Sequence, residues 1–339
     1  MLAVFALLAG MALLSLVHEV GHAAAARLVG LHITDICLGL GPPLFSFERR
    51  GIRFLLAPIP LGGFVRVAEF SPDYRRPNLS CSSSILRMVV IVAGPATNYL
   101  FAALTAFVLI SVLGIETGGS KGLKVVSADA GAAHAGLVAG DLIFQVNGRP
   151  VKDLRSLSQA LAASDADADA VVAVSRGRQP KELRMSRLHA RSGAWALGAA
   201  YTVEPEIRRT GLGEALGYAL ARPLQESASM SARAAAAIKA SPANVRPLGI
   251  VGLADRVHAA KGWTWRRALT LAISLSVAMG LFNLLPFPGL DGGRLCIEAA
   301  QAICRRQLSP RWLIAIQVTG GLILLAAWVS LTAFEIHRL

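Results

Sequence analysis

The sequence predicts a polytopic α-helical membrane protein with four transmembrane helices, membrane-associated β-hairpins on the cytoplasmic side and one small extracytoplasmic α+β domain. Three observations predict it. Of 339 residues, 54% are hydrophobic and only 16% charged, whereas soluble domains carry roughly 25% charged residues. The apolar residues gather into four stretches close to the roughly 20 residues that a bilayer crossing needs. Between the second and third lies a long segment of mixed composition in which strand-like and helix-like patterns alternate. The same apolar content excludes a disordered chain.

The four spans run over 1–26, 85–113, 268–288 and 312–334. The first has no basic residue before its apolar run and is too long for the core of a secretory signal, so it reads as a retained span. Orientation follows from the basic residues of short loops. Arg27, Arg49, Arg50, Arg53, Arg66, Arg75 and Arg76 follow the first span, and Arg294, Arg305, Arg306 and Arg311 lie between the third and fourth. Both loops are therefore expected in the cytoplasm, with both termini and residues 114–267 outside. Cys37, Cys81, Cys296 and Cys304 then all fall on the reducing side, and no disulfide is expected. Four parts result: 1–115 and 267–339 in the membrane, 116–190 as the α+β domain, and 191–266 as an amphipathic linker region. The net charge of +13 is largely the topology signal of the short loops, which face a lipid bilayer with anionic headgroups. The rest is scattered without a basic block or aromatic array, so nucleic acid is not an expected partner.

Inside the first span stands the string HEVGH, His18 to His22. Ionisable groups at membrane depth are costly and point to function. At about 100° per residue, His18 and His22 share one helix face, and two imidazoles so placed can hold one ion. Glu19 stands beside that face, where a carboxylate can take a proton from an attacking water, as in the zinc peptidase motif. The pair lies about 26 to 32 Å from the outer end of the span, near the cytoplasmic edge of the hydrocarbon.

A hydrolytic zinc needs a third protein ligand and an open position. Few carboxylates lie at membrane depth, and Asp291 is the best placed. It closes the third span in NLLPFPGLDGGRL, where Pro286 and Pro288 break the helix and Gly289, Gly292 and Gly293 allow tight turns. Broken backbone at this depth is tolerated only where it lines a cavity or is buried in protein.

HEVGH in the first span with NLLPFPGLDGG after a later one resembles the site-2 proteases, zinc metalloproteases that cut within the membrane. AGPATN at Ala93 to Asn98 is similar to that family's GPxxN string, and PLGGFVRV at Pro60 to Val67 to the strand after its first span. The resemblance implies one Zn2+ held by His18, His22 and Asp291, Glu19 as general base, and Asn283 in the substrate cleft. It also implies a bacterial inner-membrane protein whose substrate is a transmembrane protein already trimmed outside, such as a membrane-bound anti-sigma factor.

FSFERRGIRFLLAPIPLGGFVRV carries β-formers around an RRG turn and the Leu61-Gly62-Gly63 bend, a pattern of short hairpins. A peptide bond in a helix must be unwound before it is cut, and a strand edge near Gly62 and Gly63 can take the unwound segment as an added strand. The same residues also fit an ordinary surface hairpin. Asn283, with donors and acceptors, could clamp the freed backbone. Two roles are open to Asn98: a hydrogen bond that stabilises the active site, or a bridge between two helices.

Residues 116–190 resemble a bacterial PDZ domain through Ala135 to Asp141 and the Asn147-Gly148 turn. That resemblance places a peptide carboxylate on the backbone of Gly122 and Leu123, with the peptide added beside the following strand. Reading of new C-termini and exclusion of bulky substrates both fit a single such module. Leu212, Leu216, Leu220 and Leu224 recur every fourth residue over 211–240, as in an amphipathic helix on the outer leaflet that gates the cleft or simply packs. Pro247 to Gly252, Trp263 and Trp265 then lead to the third span, where Trp favours the interface. The expected activity is zinc-dependent intramembrane peptide hydrolysis; the alternative is a non-catalytic metal-binding membrane scaffold, which has no use for Glu19.

Overall fold

The first apolar stretch folds as one helix, α1 (Leu2–Leu28), in a computed structural model that describes residues 2–68, 84–163, 169–186, 188–189, 195–239, 264–306 and 308–337. Arg75, Arg76, Cys81, Pro247 to Gly252 and Trp263 lie outside the described residues. By its contacts the chain divides into two units, 1–109 with 213–339, and 110–212.

In the first unit, α1 ends at Gly30, whose positive φ turns the chain into a four-stranded sheet. Its strands are β1 (Ile33–Leu40), β2 (Phe45–Arg49), β3 (Ile52–Leu56) and β4 (Ile59–Val67), in the order β2-β3-β1-β4. Arg50 and Gly51, both at positive φ, make the tight hairpin turn that the RRG string predicts. Pairing of β1 with β3 is parallel and with β4 antiparallel, which leaves β4 as an end strand among the described residues. The sheet packs on α1 through Ala25, Ala26, Ile33, Ile52 and Val67.

The unit continues with α2 (Ser84–Leu113), then α5 (Leu212–Lys239), α6 (Trp265–Asn283), α7 (Asp291–Cys304) and α8 (Pro310–His337). Among the described residues three segments are long and apolar enough to cross a bilayer: Ala6–Leu28, Ser84–Leu113 and Arg311–Ser330. The stretch expected as the third span, 268–288, differs. Helix α6 stops at Asn283, and Ser274 and Ser276 lower its hydropathy, because this face meets other helices rather than lipid. Ser276 Oγ donates to the Asn98 carbonyl at 2.8 Å, and Ser274 Oγ to Glu226 of α5 at 3.0 Å. Within α5 the four periodic leucines are exposed, as an amphipathic helix requires, while Ala215 and Ala219 are buried. Its Ser227 shares a hydrogen bond of 2.7 Å with Tyr99 of α2.

In the second unit, β5 (Ile115–Ala128), β6 (Leu142–Val146), β8 (Ala170–Arg176), β9 (Gln179–Met185) and β12 (Ala199–Arg208) form a sheet in the order β12-β5-β6-β8-β9, with β7 (Arg149–Pro150) on β6. Short helices α3 (Ala130–His134) and α4 (Leu154–Ala162) join it. The minor pair β10 (Leu188–His189) and β11 (Trp195–Ala196) precedes β12. Asp153 caps α4 in a reciprocal box with Ser156. The core is a cluster of Leu, Ile, Val and Met side chains from every layer, Leu123, Ile143, Leu161 and Met185 among them. The unit runs beyond the expected 116–190, because β12 pairs with β5 from Ala199 to Arg208 and brings those residues out of the linker region.

Candidate metal centre

His18 and His22 sit one turn apart on α1, with their rings edge to face and centroids 4.7 Å apart. Asp291, distant in sequence, is the first residue of α7. A chain path through Pro286 and Pro288 brings it there. Leu284 caps α6, the backbone turns over Leu285 to Leu290, and α7 starts at once. A side chain at Gly292 would collide with the carbonyls of Leu284 and Leu285, and one at Gly293 with that of Phe287, so the LDGG glycines let α7 close onto the end of α6.

The three ligand atoms form a compact triangle. His18 Nε2 lies 2.9 Å from Asp291 Oδ2, His22 Nε2 lies 3.2 Å from the same oxygen, and the two Nε2 atoms are 3.1 Å apart. Ligands at about 2.0–2.1 Å in tetrahedral array around zinc are separated by about 3.3 Å, so the donor set fits one such ion. Two imidazole nitrogens and a carboxylate oxygen that converge so closely are a cation's donor set; a single proton could serve only one edge of the triangle. All three side chains are largely buried. Among the described residues this is the one group of histidine, cysteine and carboxylate side chains able to hold a metal.

Glu19 is 6% exposed and lies against β4. Its Cγ and Oε1 are 3.0 and 3.4 Å from where a side chain at Gly63 would begin, so only glycine leaves the carboxylate its place. Gly62, at positive φ, bends the strand just before this contact. On the other side of the histidines, α2 comes close at Gly94. A Cβ there would strike the His22 ring, at 2.5 Å from Cε1, and the His18 ring at 2.9 Å from Cε1. His22 Nδ1 donates to the Val90 carbonyl of α2 at 2.8 Å. Asn98, one turn beyond Gly94, has Nδ2 3.3 Å from His18 Nδ1. Gly94 and Val90 escape the sequence reading. A helix kink is the obvious role for Gly94-Pro95, and a backbone carbonyl has no sequence signature. Asn283 closes α6, half-buried, eight residues before Asp291.

The structure corrects one expected site. The backbone of Gly122 and Leu123 was expected to receive a peptide, with the peptide added beside the strand that follows. Both edges of that strand are taken. Gly122 pairs with Glu204 and Leu123 with Val203 of β12, and Leu123 also pairs with Ile143 of β6. A side chain at Gly122 would collide with the Ile143 carbonyl. The chain's own β12, lying past the expected domain boundary, fills the place of the peptide.

The chain's relatives agree with this chemistry. The family described as peptidase family M50 matches residues 6–327. A Clostridium perfringens protein named putative zinc metalloprotease is 30% identical over 345 residues, covering 98% of each chain. A Synechocystis protein of the same designation is 27% identical, covering 97% of this chain and 93% of its own. Metalloprotease MmpA of Caulobacter vibrioides is 26% identical over 95% of this chain and 93% of its own. The match extends over nearly all of the chain, and its metal donors converge as hydrolysis by zinc requires; the chain belongs to peptidase family M50 and is a zinc metalloendopeptidase of the membrane.

Proposed function

We propose that this protein cleaves peptide bonds inside transmembrane segments, as one step of regulated intramembrane proteolysis. The observation that carries the reading is the burial of His18, Glu19, His22 and Asp291 among helices whose outer faces are apolar. A polar centre of this kind is retained at membrane depth for function. With α6 counted beside the three longer helices, the chain has four spans. Both termini and the PDZ-like domain are outside the cytoplasm of a bacterial inner membrane, and the centre is near its cytoplasmic side.

Zinc, when bound by His18, His22 and Asp291, supplies a Lewis acid that polarises the scissile carbonyl and acidifies water. Glu19 accepts the proton of the attacking water and delivers it to the leaving amine nitrogen. The end strand β4 has an edge for an unwound substrate segment, and its Gly63 touches Glu19, so a strand added there passes beside the base. Asn283, at the end of α6, holds that segment by its amide. The substrate class that fits is a single-span protein with its outer part removed, such as a membrane-bound anti-sigma factor. Residues 110–212 act as a PDZ-like module, and the pairing of β12 with β5 favours exclusion of bulky substrates over reading of C-termini.

The test is Glu19→Gln in the full chain, assayed on a reporter transmembrane substrate with zinc content measured in parallel. Cleavage should fall about 10²- to 10⁴-fold with zinc retained. Undiminished turnover would remove Glu19 and this mechanism together, and favour a metal-binding scaffold.

A further inference from the structure

The two histidines are held at their second ring nitrogens by different partners. His22 Nδ1 faces the Val90 carbonyl, which can only accept. That ring therefore carries its proton on Nδ1 and keeps Nε2 bare for an ion. His18 Nδ1 faces the amide of Asn98, which can donate or accept. Asn98 is 0% exposed, and its Oδ1 is buried with no hydrogen-bond partner. If Nδ2 donates to His18 Nδ1, the ring proton is forced onto Nε2, the atom that points at His22 and Asp291, and Oδ1 stays unsatisfied. Turning the planar amide by 180° exchanges Oδ1 and Nδ2 in the same space. The tautomer conflict then disappears: Oδ1 accepts from His18 Nδ1, and Nδ2 takes the buried position that Oδ1 held.

We propose that Asn98 is a positioning residue of the metal centre: its Oδ1 accepts the Nδ1 proton of His18, which bares Nε2 and fixes the ring toward Asp291. This inference rests on the reading that His18, His22 and Asp291 hold zinc. It also separates the two roles open to Asn98. The bridge from α2 to α6 is made by its backbone carbonyl, which accepts from Ser276 Oγ at 2.8 Å. The side chain is thereby committed to His18. The two acceptors for the Nδ1 protons come from one helix face, since Val90 and Asn98 are two turns apart on α2, with Gly94 between them making room for both rings.

The experiment is zinc affinity by chelator competition on the full chain in detergent, for the wild type, Asn98→Ala and Asn98→Asp, with thermal unfolding of the chelated proteins as the check on folding. Loss of the acceptor for the His18 Nδ1 proton should weaken zinc about 10- to 100-fold in Asn98→Ala, while Asn98→Asp, which can only accept, should stay within about threefold of wild type or bind tighter. Equal weakening of both variants overturns the proposal, because a bridging or space-filling side chain would not distinguish them. Should Asn98→Ala fail to fold, Asn98→Asp decides alone: affinity kept supports the acceptor role, and a loss of tenfold or more refutes it. A wild type that binds no zinc would instead overturn the underlying reading of the centre.

Discussion

The two units of the chain pack in opposite senses. In 110–212 the largest side chains are inside, Leu123, Leu137, Ile143, Leu157 and Leu161 being almost completely buried. In the other unit α2 and α8 turn Leu100, Leu104, Val108, Ile314 and Leu322 outward, and α2 keeps Gly94, Ala102 and Ala106 inside. Water rewards burial of large apolar groups. Lipid does not, so helices there associate through small residues and polar contacts, as Gly280 does against the Tyr99 ring and Ser276 against Asn98. The difference teaches that an outward leucine is a liability in one unit and the expected state in the other.

Substitutions can sharpen that contrast or break it. The largest effect is expected from Leu161→Ala, which leaves a cavity in the core of 110–212 and should cost about 2–5 kcal/mol of that unit's stability, with zinc affinity unchanged. Thermal unfolding of the full chain, followed with and without chelator, checks this. Gly94→Ala should do the reverse. Its methyl meets both imidazoles, and zinc affinity should drop about 100-fold, roughly 2.8 kcal/mol, while the unfolding transition assigned by Leu161→Ala stays in place. Unchanged zinc binding in that variant would mean that the two helices separate freely and that small residues do not set the site.

A pH effect of intermediate size belongs to 110–212 alone. The carboxylate of Asp141 is fully buried and takes both Arg176 Nε and Nη2 at 2.8 Å, with the Val138 amide at 3.0 Å. The Arg176 guanidinium holds its pKa below the usual carboxylate range. A lowered pKa means stability that is present above about pH 4, the unfolded value, and is lost as pH falls through the folded one. Between pH 7 and pH 3 the unit's unfolding temperature should therefore fall at the acid end. Asp141→Asn should start lower at neutral pH and show a shallower acid loss; an identical slope would exclude the pair as its source. The smallest effect is expected for Leu104→Ala on the outer face of α2, within about 0.5 kcal/mol. A loss like that of Leu161→Ala would show that this face is covered by protein rather than lipid.

Local patterns carried much of the architecture. HEVGH lies on one helix as its spacing demands, and the RRG turn closes β2 on β3. The limits of these elements were less legible. The β12 residues, AAYTVEPEIR, alternate weakly and contain Pro205, so nothing local marks them as the partner of a strand some 80 residues earlier. The end of α6 reads as part of an apolar run, although its buried face sets Ser276 among Ile273, Val277 and Gly280.

What the sequence alone determined is chemistry and periodicity: which helices are apolar, which residues can bind a metal, and which turns the glycines and prolines permit. Those properties belong to a residue and its near neighbours. Only the tertiary structure decided that Gly94 makes room for the imidazoles, that Val90 and Asn98 flank them, and that β12 closes the edge beside Gly122 and Leu123. Each of these depends on the approach of segments far apart in the chain. A distance between backbones is set by the packing of whole helices and strands, and no single residue encodes it.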